Sequence, residues 1–199
     1  MTSTVRRPPA TAAPVDTATV KTPCAIDQTS VIAEKARFTG SHLVRVGKNS
    51  VIHPHATLKS DHGKVLIGND CSISERAIVG IVSDSNGVEQ DVVIGDGVNI
   101  HTGARVEAQS IGTGSTIDIH ARVEPGAVIG EYCKVGPMEV VGSGEVLEDF
   151  TVVYGNGQRR IDRTTRDHRD VLEAKIAGQT QLLKVYRKLI PNFSAKYMG

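Results

Sequence analysis

Residues 111–154 read, in blocks of six, IGTGST IDIHAR VEPGAV IGEYCK VGPMEV VGSGEV LEDFTV and VY. Every block opens on an aliphatic residue, so one class of side chain returns every six positions. This period is typical of the hexapeptide repeat, in which three hexads make one coil of a parallel β-helix. Each aliphatic side chain then points into a narrow triangular prism and stacks on the next coil, roughly 4.8 Å along the axis. We therefore predict an all-β solenoid, a left-handed parallel β-helix.

The residue three positions after each aliphatic supports the same register. The corner of such a coil needs a residue that tolerates positive φ, which is least costly for Gly, Asn and Asp. A helical interpretation fails on this stretch, because glycines alternate with β-branched residues and no apolar face repeats at 3.6 residues. The corner position is occupied by Asn49, Asp70, Gly97, Gly103, Gly114, Gly126 and Gly144.

The register continues towards the N-terminus in sets of three hexads separated by short insertions. Together with the unbroken stretch these positions make about twenty hexads, or between six and seven coils. We predict a β-helix over residues 24–155. The upstream positions are Ile26, Ile32, Phe38, Val46, Ile52, Leu58, Ile67, Ile73, Val79, Ile94, Ile100 and Val106.

The segments outside the repeat have other patterns. Residues 1–23 are rich in Thr, Ala and Pro and have no apolar period, which indicates a disordered tail. Residues 156–170 are strongly charged, which indicates an irregular linker. We predict an amphipathic helix over 171–190, ended by Pro191, and a tail over 191–199. This helix either packs only on its own β-helix or also meets a partner. Its stripe is Leu172, Ile176, Gln179, Leu183, Tyr186 and Ile190.

Composition excludes several functional classes. The net charge is +1, so no strong field points to nucleic acid. No apolar run approaches the ~20 residues that a membrane span needs. Cys24, Cys71 and Cys133 are odd in number and widely spaced, which argues against a disulfide framework. Cys71 and Cys133 fall on the small-residue position of the hexad, which indicates small buried thiols in a reducing compartment.

The histidines give little support for chemistry. His55 and His120 take the corner position, where the side chain points to solvent. His53 and His101 face outward on one side of the prism but lie two coils apart, with Ser74 between them. Two coils span about 9.6 Å, whereas two imidazole nitrogens on one zinc lie only ~3.4 Å apart.

A catalytic role is also weakly supported. His62 in its loop is the most exposed candidate base, but the sequence alone does not establish a carboxylate or an oxyanion donor positioned to act with it. We therefore expect no catalytic, cofactor-binding or metal-binding residue. The alternative is a homotrimeric hexapeptide-repeat enzyme, either an acyltransferase or a gamma-type carbonic anhydrase, with histidines converging between subunits.

Three motifs carry a resemblance to a known family. They are VIHPHA at 51–56, the exit TVVYG at 151–155 followed by Arg159 and Arg160, and the ending LLKVYRKLIPNF at 182–193. Together they resemble the dynactin subunit 6 family of hexapeptide-repeat proteins over about residues 23–193. The terminal motif is the specific one, because the other two are shared loosely with other hexapeptide-repeat proteins.

The resemblance implies a non-catalytic subunit of the dynactin pointed-end complex, which supports dynein-dependent microtubule transport and cargo attachment. It implies as partners the dynactin subunit 5 paralogue, an actin-related protein, subunit 4 and cargo adaptors. It also implies a cytoplasmic, cytoskeleton-associated protein. Such a protein has no cofactor, binds no nucleic acid and has no membrane span. The candidate partner contacts on the C-terminal helix and just beyond it are Leu172, Ile176, Leu183, Tyr186, Ile190 and Phe193.

Overall fold

The computed structural model describes residues 22–82 and 89–198. Over these residues the chain coils into a triangular prism with one parallel sheet in each wall. Six coils contribute a strand to all three sheets, and a partial seventh coil contributes to two of them. The predicted left-handed parallel β-helix is confirmed. Most of the predicted N-terminal tail, residues 1–21, lies outside the described residues.

The three walls are named sheets A, B and C. Sheet A contains, in spatial order, β1 (Cys24–Ile26), β4 (Val44–Val46), β7 (Val65–Ile67), β10 (Val92–Ile94), β13 (Ser110–Ile111), β16 (Val128–Ile129) and β19 (Val146–Leu147). Sheet B contains β2 (Val31–Ile32), β5 (Val51–Ile52), β8 (Ser72–Ile73), β11 (Asn99–Ile100), β14 (Thr116–Ile117), β17 (Lys134–Val135), β20 (Thr151–Tyr154) and β21 (Gln158–Ile161). Sheet C contains β18 (Val140–Val141), β15 (Arg122–Val123), β12 (Arg105–Val106), β9 (Ile78–Val79), β6 (Thr57–Ser60) and β3 (Arg37–Gly40).

The hexad aliphatics form the core. Each of the twenty predicted positions lies in one of the strands β1–β20, and all except Ile26 and Phe38 of the first coil are buried. Adjacent coils pair in parallel and in register, so that Ile100 lies between Ile73 and Ile117. The residue before each aliphatic points outward because side chains alternate along a strand. The core is therefore a set of columns, and each wall presents one outward residue per coil.

The predicted corner residues have positive φ, and four further corner residues have it as well. All seven predicted Gly, Asn and Asp residues have positive φ, and so do His55 and His120. Bulky residues also adopt this conformation at four corners, although the sequence did not mark them. At two of these corners the rings of Tyr132 and Phe150 stack with centroids 5.3 Å apart. The corners with bulky residues are Arg76, Tyr132, Met138 and Phe150.

Two of the thiols belong to the core. Cys71 and Cys133 are buried at the small-residue position of their hexads, and neither forms a disulfide bond within the described residues. Burial raises the pKa of Cys71 to about 12 and also raises the pKa of Cys133. Both are therefore protonated, unreactive packing groups at neutral pH.

The charged interval 156–170 is not irregular, which corrects the sequence prediction. The turn after β20 reverses the chain, and β21 pairs antiparallel with β20. α1 (Arg163–Asp167) follows, and α2 (Arg169–Leu189) begins within the predicted linker. The physical reason is that β21 covers the open edge of sheet B with backbone hydrogen bonds, which need no apolar side chains. A short 3-10 helix, Ser194–Lys196, ends the described chain.

Asp162 holds this junction together. Its carboxylate caps α1 by accepting from Thr165 N at 3.2 Å and from Thr165 Oγ1 at 2.7 Å. It also accepts from Lys175 Nζ of α2 at 3.2 Å. The Thr165 hydrogen bond is the main reason that the pKa of Asp162 falls to about 2. One carboxylate thus fixes the start of α1 and the position of α2 beside it.

Candidate functional site: the outer walls and the C-terminal helix

α2 packs along the outer wall of sheet B. Leu183 is buried against Val31 and Val51, with Tyr186 and Ile190 beside it. Gln179 donates from Nε2 to the carbonyl oxygen of Gly97 at 2.6 Å. The 21 residues of α2 span about 31 Å, close to the roughly 29 Å of six coil spacings. The helix therefore runs back along the prism and occupies one of its three walls.

A polar cluster lies under this helix. His53 Nδ1 is 3.0 Å from Glu75 Oε1, and Ser72 Oγ is 3.4 Å from His53 Nε2. The Tyr186 and His53 rings are nearly perpendicular, with centroids 4.7 Å apart. Burial raises the pKa of Glu75, but its backbone hydrogen bond and His53 outweigh that effect and hold it below its usual value.

Ser72, His53 and Glu75 form a hydrogen-bonded chain that resembles a catalytic triad. The low exposure of Ser72 and His53 argues against a catalytic role for this cluster. Ser72 is 5% exposed and His53 is 4% exposed. A nucleophile must reach a substrate carbonyl, and neither group is open to one. The cluster instead anchors Tyr186 of α2 to the wall.

The chain beyond α2 covers the first edge of sheet B. Ile32 N donates to Asn192 Oδ1 at 3.1 Å, and Asn192 Nδ2 donates to Ser30 O at 3.2 Å. Phe193 N donates to Ile32 O at 2.8 Å. Tyr197 donates to Ala36 O at 2.6 Å. The terminal Pro-Asn-Phe motif thus acts as a substitute strand that satisfies the exposed edge of β2.

Replacing Asn192 with alanine tests this edge cover. We expect the free energy of unfolding to fall by about 1–3 kcal/mol, because the buried N–H of Ile32 loses its acceptor. Gln181→Ala is the matched control, since Gln181 is an exposed amide on α2. Urea denaturation followed by circular dichroism measures both. Equal stability of the two variants would contradict the role assigned to Asn192.

The structure divides the six predicted partner contacts. Leu183, Tyr186 and Ile190 face the prism, and Leu172 lies beside Thr116 and Lys134 of the wall. Ile176 and Phe193 remain exposed. Their use by a partner stays a prediction, and the inward positions of Leu183, Tyr186 and Ile190 give those three a role within the chain.

The outer wall of sheet A carries a ladder of seven outward residues, five of which are apolar. The strands are in register, so one outward residue from each coil stacks on the next. Val93 is 42% exposed and Val146 is 68% exposed. We call this ladder face A. It consists of Ala25, Arg45, Leu66, Val93, Ser110, Val128 and Val146.

The outer wall of sheet C has a different character. Its outward residues include Arg37, Arg105 and Arg122, and the wall ends at Val140, which is 38% exposed. Arg105 Nε donates to the buried Glu107 carboxylate at 2.6 Å. The wall is therefore basic, with one exposed aliphatic residue at its last strand.

The remaining histidines are dispersed. His53 N donates to Ile73 O and Ser74 N donates to Ile100 O, so Ser74 separates His53 from His101 in the stack. His62 is half-buried, and its carbonyl oxygen accepts from Gln90 N. Over residues 22–82 and 89–198, no three His, Cys, Asp or Glu residues are grouped to hold a metal ion. Within the same ranges, no helix has the length and hydropathy to cross a bilayer.

Comparison with curated proteins finds sequence similarity to the same protein in several species. No family model matches the chain. It is 26% identical to dynactin subunit 6 of Xenopus tropicalis over 170 residues, covering 82% of the chain and 79% of that protein. The likeness is to dynactin subunit 6. The Nematostella vectensis dynactin subunit 6 is also 26% identical, over 172 residues that cover 82% of the chain and 86% of the relative. The resemblance to dynactin subunit 6 that the three sequence motifs indicated is thus confirmed over about 82% of the chain.

Comparison with solved structures concerns the fold alone. A hexapeptide transferase family protein from Anaplasma phagocytophilum superposes with a TM-score of 0.64 at 20% identity. The match covers 83% of the chain and 90% of that protein. This chain therefore shares its β-helix with a hexapeptide transferase family protein, and the fold alone does not choose between a structural and a transferase role.

Proposed function

We propose that this chain is a non-catalytic structural subunit of a dynactin-type complex. In this role it supports dynein-dependent microtubule transport and cargo attachment as a cytoplasmic, cytoskeleton-associated protein. The partners follow the dynactin subunit 6 likeness: a paralogous β-helix subunit of the subunit 5 type, an actin-related protein, subunit 4 and cargo adaptors.

Face A is the observation that carries this proposal. Exposed aliphatic residues along a flat, rigid sheet wall are suited to packing against a second sheet about 10 Å away. The helix already occupies the wall of sheet B, so face A is the apolar wall left for another prism. For the alternative function, a homotrimeric hexapeptide-repeat enzyme, the fold likeness to a hexapeptide transferase family protein supports the transferase rather than the carbonic anhydrase.

A charge placed on face A tests the proposal. The tagged full chain is purified from its native cells, and the recovery of the actin-related protein and the paralogous β-helix subunit is measured. We expect Val93→Glu to lower that recovery about tenfold, because a carboxylate would be desolvated in the interface. Val140→Glu is the matched control, since this valine is similarly exposed on the wall of sheet C.

Three results would overturn the proposal. The first is failure of the wild-type chain to recover either component. The second is equal loss of recovery from the two variants. The third is a stable homotrimer of the purified chain that contains stoichiometric zinc or turns over acyl-CoA or bicarbonate, which would establish the enzymatic alternative.

A further inference from the structure

The outer side of α2 carries a second apolar surface. Leu182, Val185 and Leu189 are 47%, 48% and 72% exposed. Their spacing of three and four residues places them on one side of the helix, over about 10 Å. We call these three residues the outer stripe. Each of them directly precedes one of the inward residues Leu183, Tyr186 and Ile190, which pack on sheet B. The outer stripe therefore lies about 100° around the helix from the packed side.

The charge around the outer stripe has one sign. Residues 174–198 contain no Asp or Glu, and their cations are Lys175, Lys184, Arg187, Lys188 and Lys196. Lys184 and Lys188 are exposed and alternate with the stripe along the helix. Within residues 22–82 and 89–198, neither forms a salt bridge within 4.0 Å. The stripe therefore lies in an uncompensated positive field.

The far end of the stripe opens into a shallow groove. Leu189 and Phe193 line it together with Ala33 of the first coil. Glu34 and Lys35 also line the groove, so its own charges balance. The apolar surface of α2 thus continues onto the first coil without gaining net negative charge.

We propose that the outer stripe binds an acidic amphipathic helix of a partner protein. The partner's aliphatic residues pack on Leu182, Val185 and Leu189, and its carboxylates meet Lys184 and Lys188. The outer stripe extends over two helical turns of α2, and this length can pack against two turns of one partner helix. An anionic membrane is disfavoured because a surface-bound helix buries a broad apolar face, whereas Leu183 and Tyr186 of α2 already pack on sheet B. The inference needs only this surface and does not depend on the complex proposed above.

A designed peptide tests the inference directly. The probe is a synthetic helix of about 18 residues with leucine at heptad positions a and d and glutamate at e and g. Its binding to the full chain is measured by fluorescence anisotropy at two salt concentrations. We expect saturable binding that weakens at the higher salt. The double variant Lys184→Glu/Lys188→Glu should weaken binding about tenfold or more.

Charge exchange and matched controls make the test decisive. A second peptide with lysine in place of glutamate should bind the charge-reversed variant and not the wild-type chain. Arg37→Glu/Arg122→Glu removes the same charge from the wall of sheet C and should leave binding unchanged. If charge reversal lowers helicity, Lys184→Gln/Lys188→Gln gives the same comparison without repulsion.

The apolar component has its own control. Leu182→Ser/Leu189→Ser should weaken peptide binding about tenfold, whereas Gln181→Ser on the same helix should not. Peptide binding that ignores these substitutions would overturn the proposal. So would binding only to vesicles of phosphatidylserine and phosphatidylcholine, with no affinity for the acidic peptide.

Discussion

Replacing Ile100 with alanine is expected to lower the free energy of unfolding by about 4 kcal/mol. Ile100 is fully buried in the fourth coil and pairs in register with Ile73 and Ile117. The core is one side chain thick, so no second layer of residues can move in to fill the space. The coils above and below are held by their own parallel hydrogen bonds, which keeps the cavity open.

The same deletion on the surface is the control. Ile119 is 45% exposed, and Ile119→Ala removes the same atoms with little change in packing. We expect it to cost below about 1 kcal/mol. Urea denaturation of the two variants gives the difference directly. If Ile100→Ala cost no more than Ile119→Ala, the stacked columns would not be the source of stability.

The deletion also tests cooperativity between coils. A solenoid is stabilised by contacts between neighbouring coils, so a defect at a central coil weakens both of its interfaces. We expect amide exchange to accelerate on both sides of Ile100 rather than only in sheet B. This behaviour follows from the parallel architecture and differs from that of a globular core, in which the loss stays local.

The register of the β-helix could be predicted because two independent constraints act on every hexad. The interior admits only aliphatic side chains, and most corners prefer residues that tolerate positive φ. The corners at Arg76, Tyr132, Met138 and Phe150 escaped prediction because stacking between coils can stabilise a bulky residue there, as it does for Tyr132 on Phe150. Stacking partners lie about eighteen residues apart, and composition at one corner does not reveal them.

The C-terminal region shows where sequence reasoning failed. The charged residues after Tyr154 suggested an irregular linker, yet β21 forms there because backbone groups, not side chains, complete sheet B. The sequence did contain a signal, because Gly-Asn-Gly at 155–157 is typical of a hairpin turn. In the structure all three residues have positive φ. The edge-covering role of Asn192 had no local signal, since its partners Ile32 and Ser30 lie about 160 residues earlier.

The candidate surfaces were predictable only in part. The helical period predicted the stripe that includes Leu183, Tyr186 and Ile190, and the structure places those three against sheet B. The outer stripe was not predicted, because Leu182, Val185 and Leu189 look like ordinary surface residues until the inward side is known. Face A was hidden for a similar reason. Its members are separated by insertions and become a ladder only when the coils stack in register.

The second large effect is expected at Gly80, which follows β9 and has a φ of +120°. A Cβ added there would lie 1.9 Å from the carbonyl oxygen of Lys59 and 2.8 Å from its carbonyl carbon. Both are backbone atoms of the neighbouring coil, so they cannot move away as a flexible side chain could. We expect Gly80→Ala to lower the free energy of unfolding by about 3 kcal/mol or more, from the clash and the strained φ together.

Substitutions at two other glycines distinguish the effect of the steric clash from that of the strained φ. Gly144 has a φ of +68° and a Cβ there would meet nothing within 4 Å, so Gly144→Ala should cost only the left-handed conformation, about 1–2 kcal/mol. Gly178 lies in α2, where a Cβ also meets nothing, so Gly178→Ala should stabilise the chain by about 0.5–1 kcal/mol. Thermal and urea denaturation of the three variants should give this order. If Gly80→Ala cost no more than Gly144→Ala, the predicted clash with the Lys59 carbonyl group would be wrong.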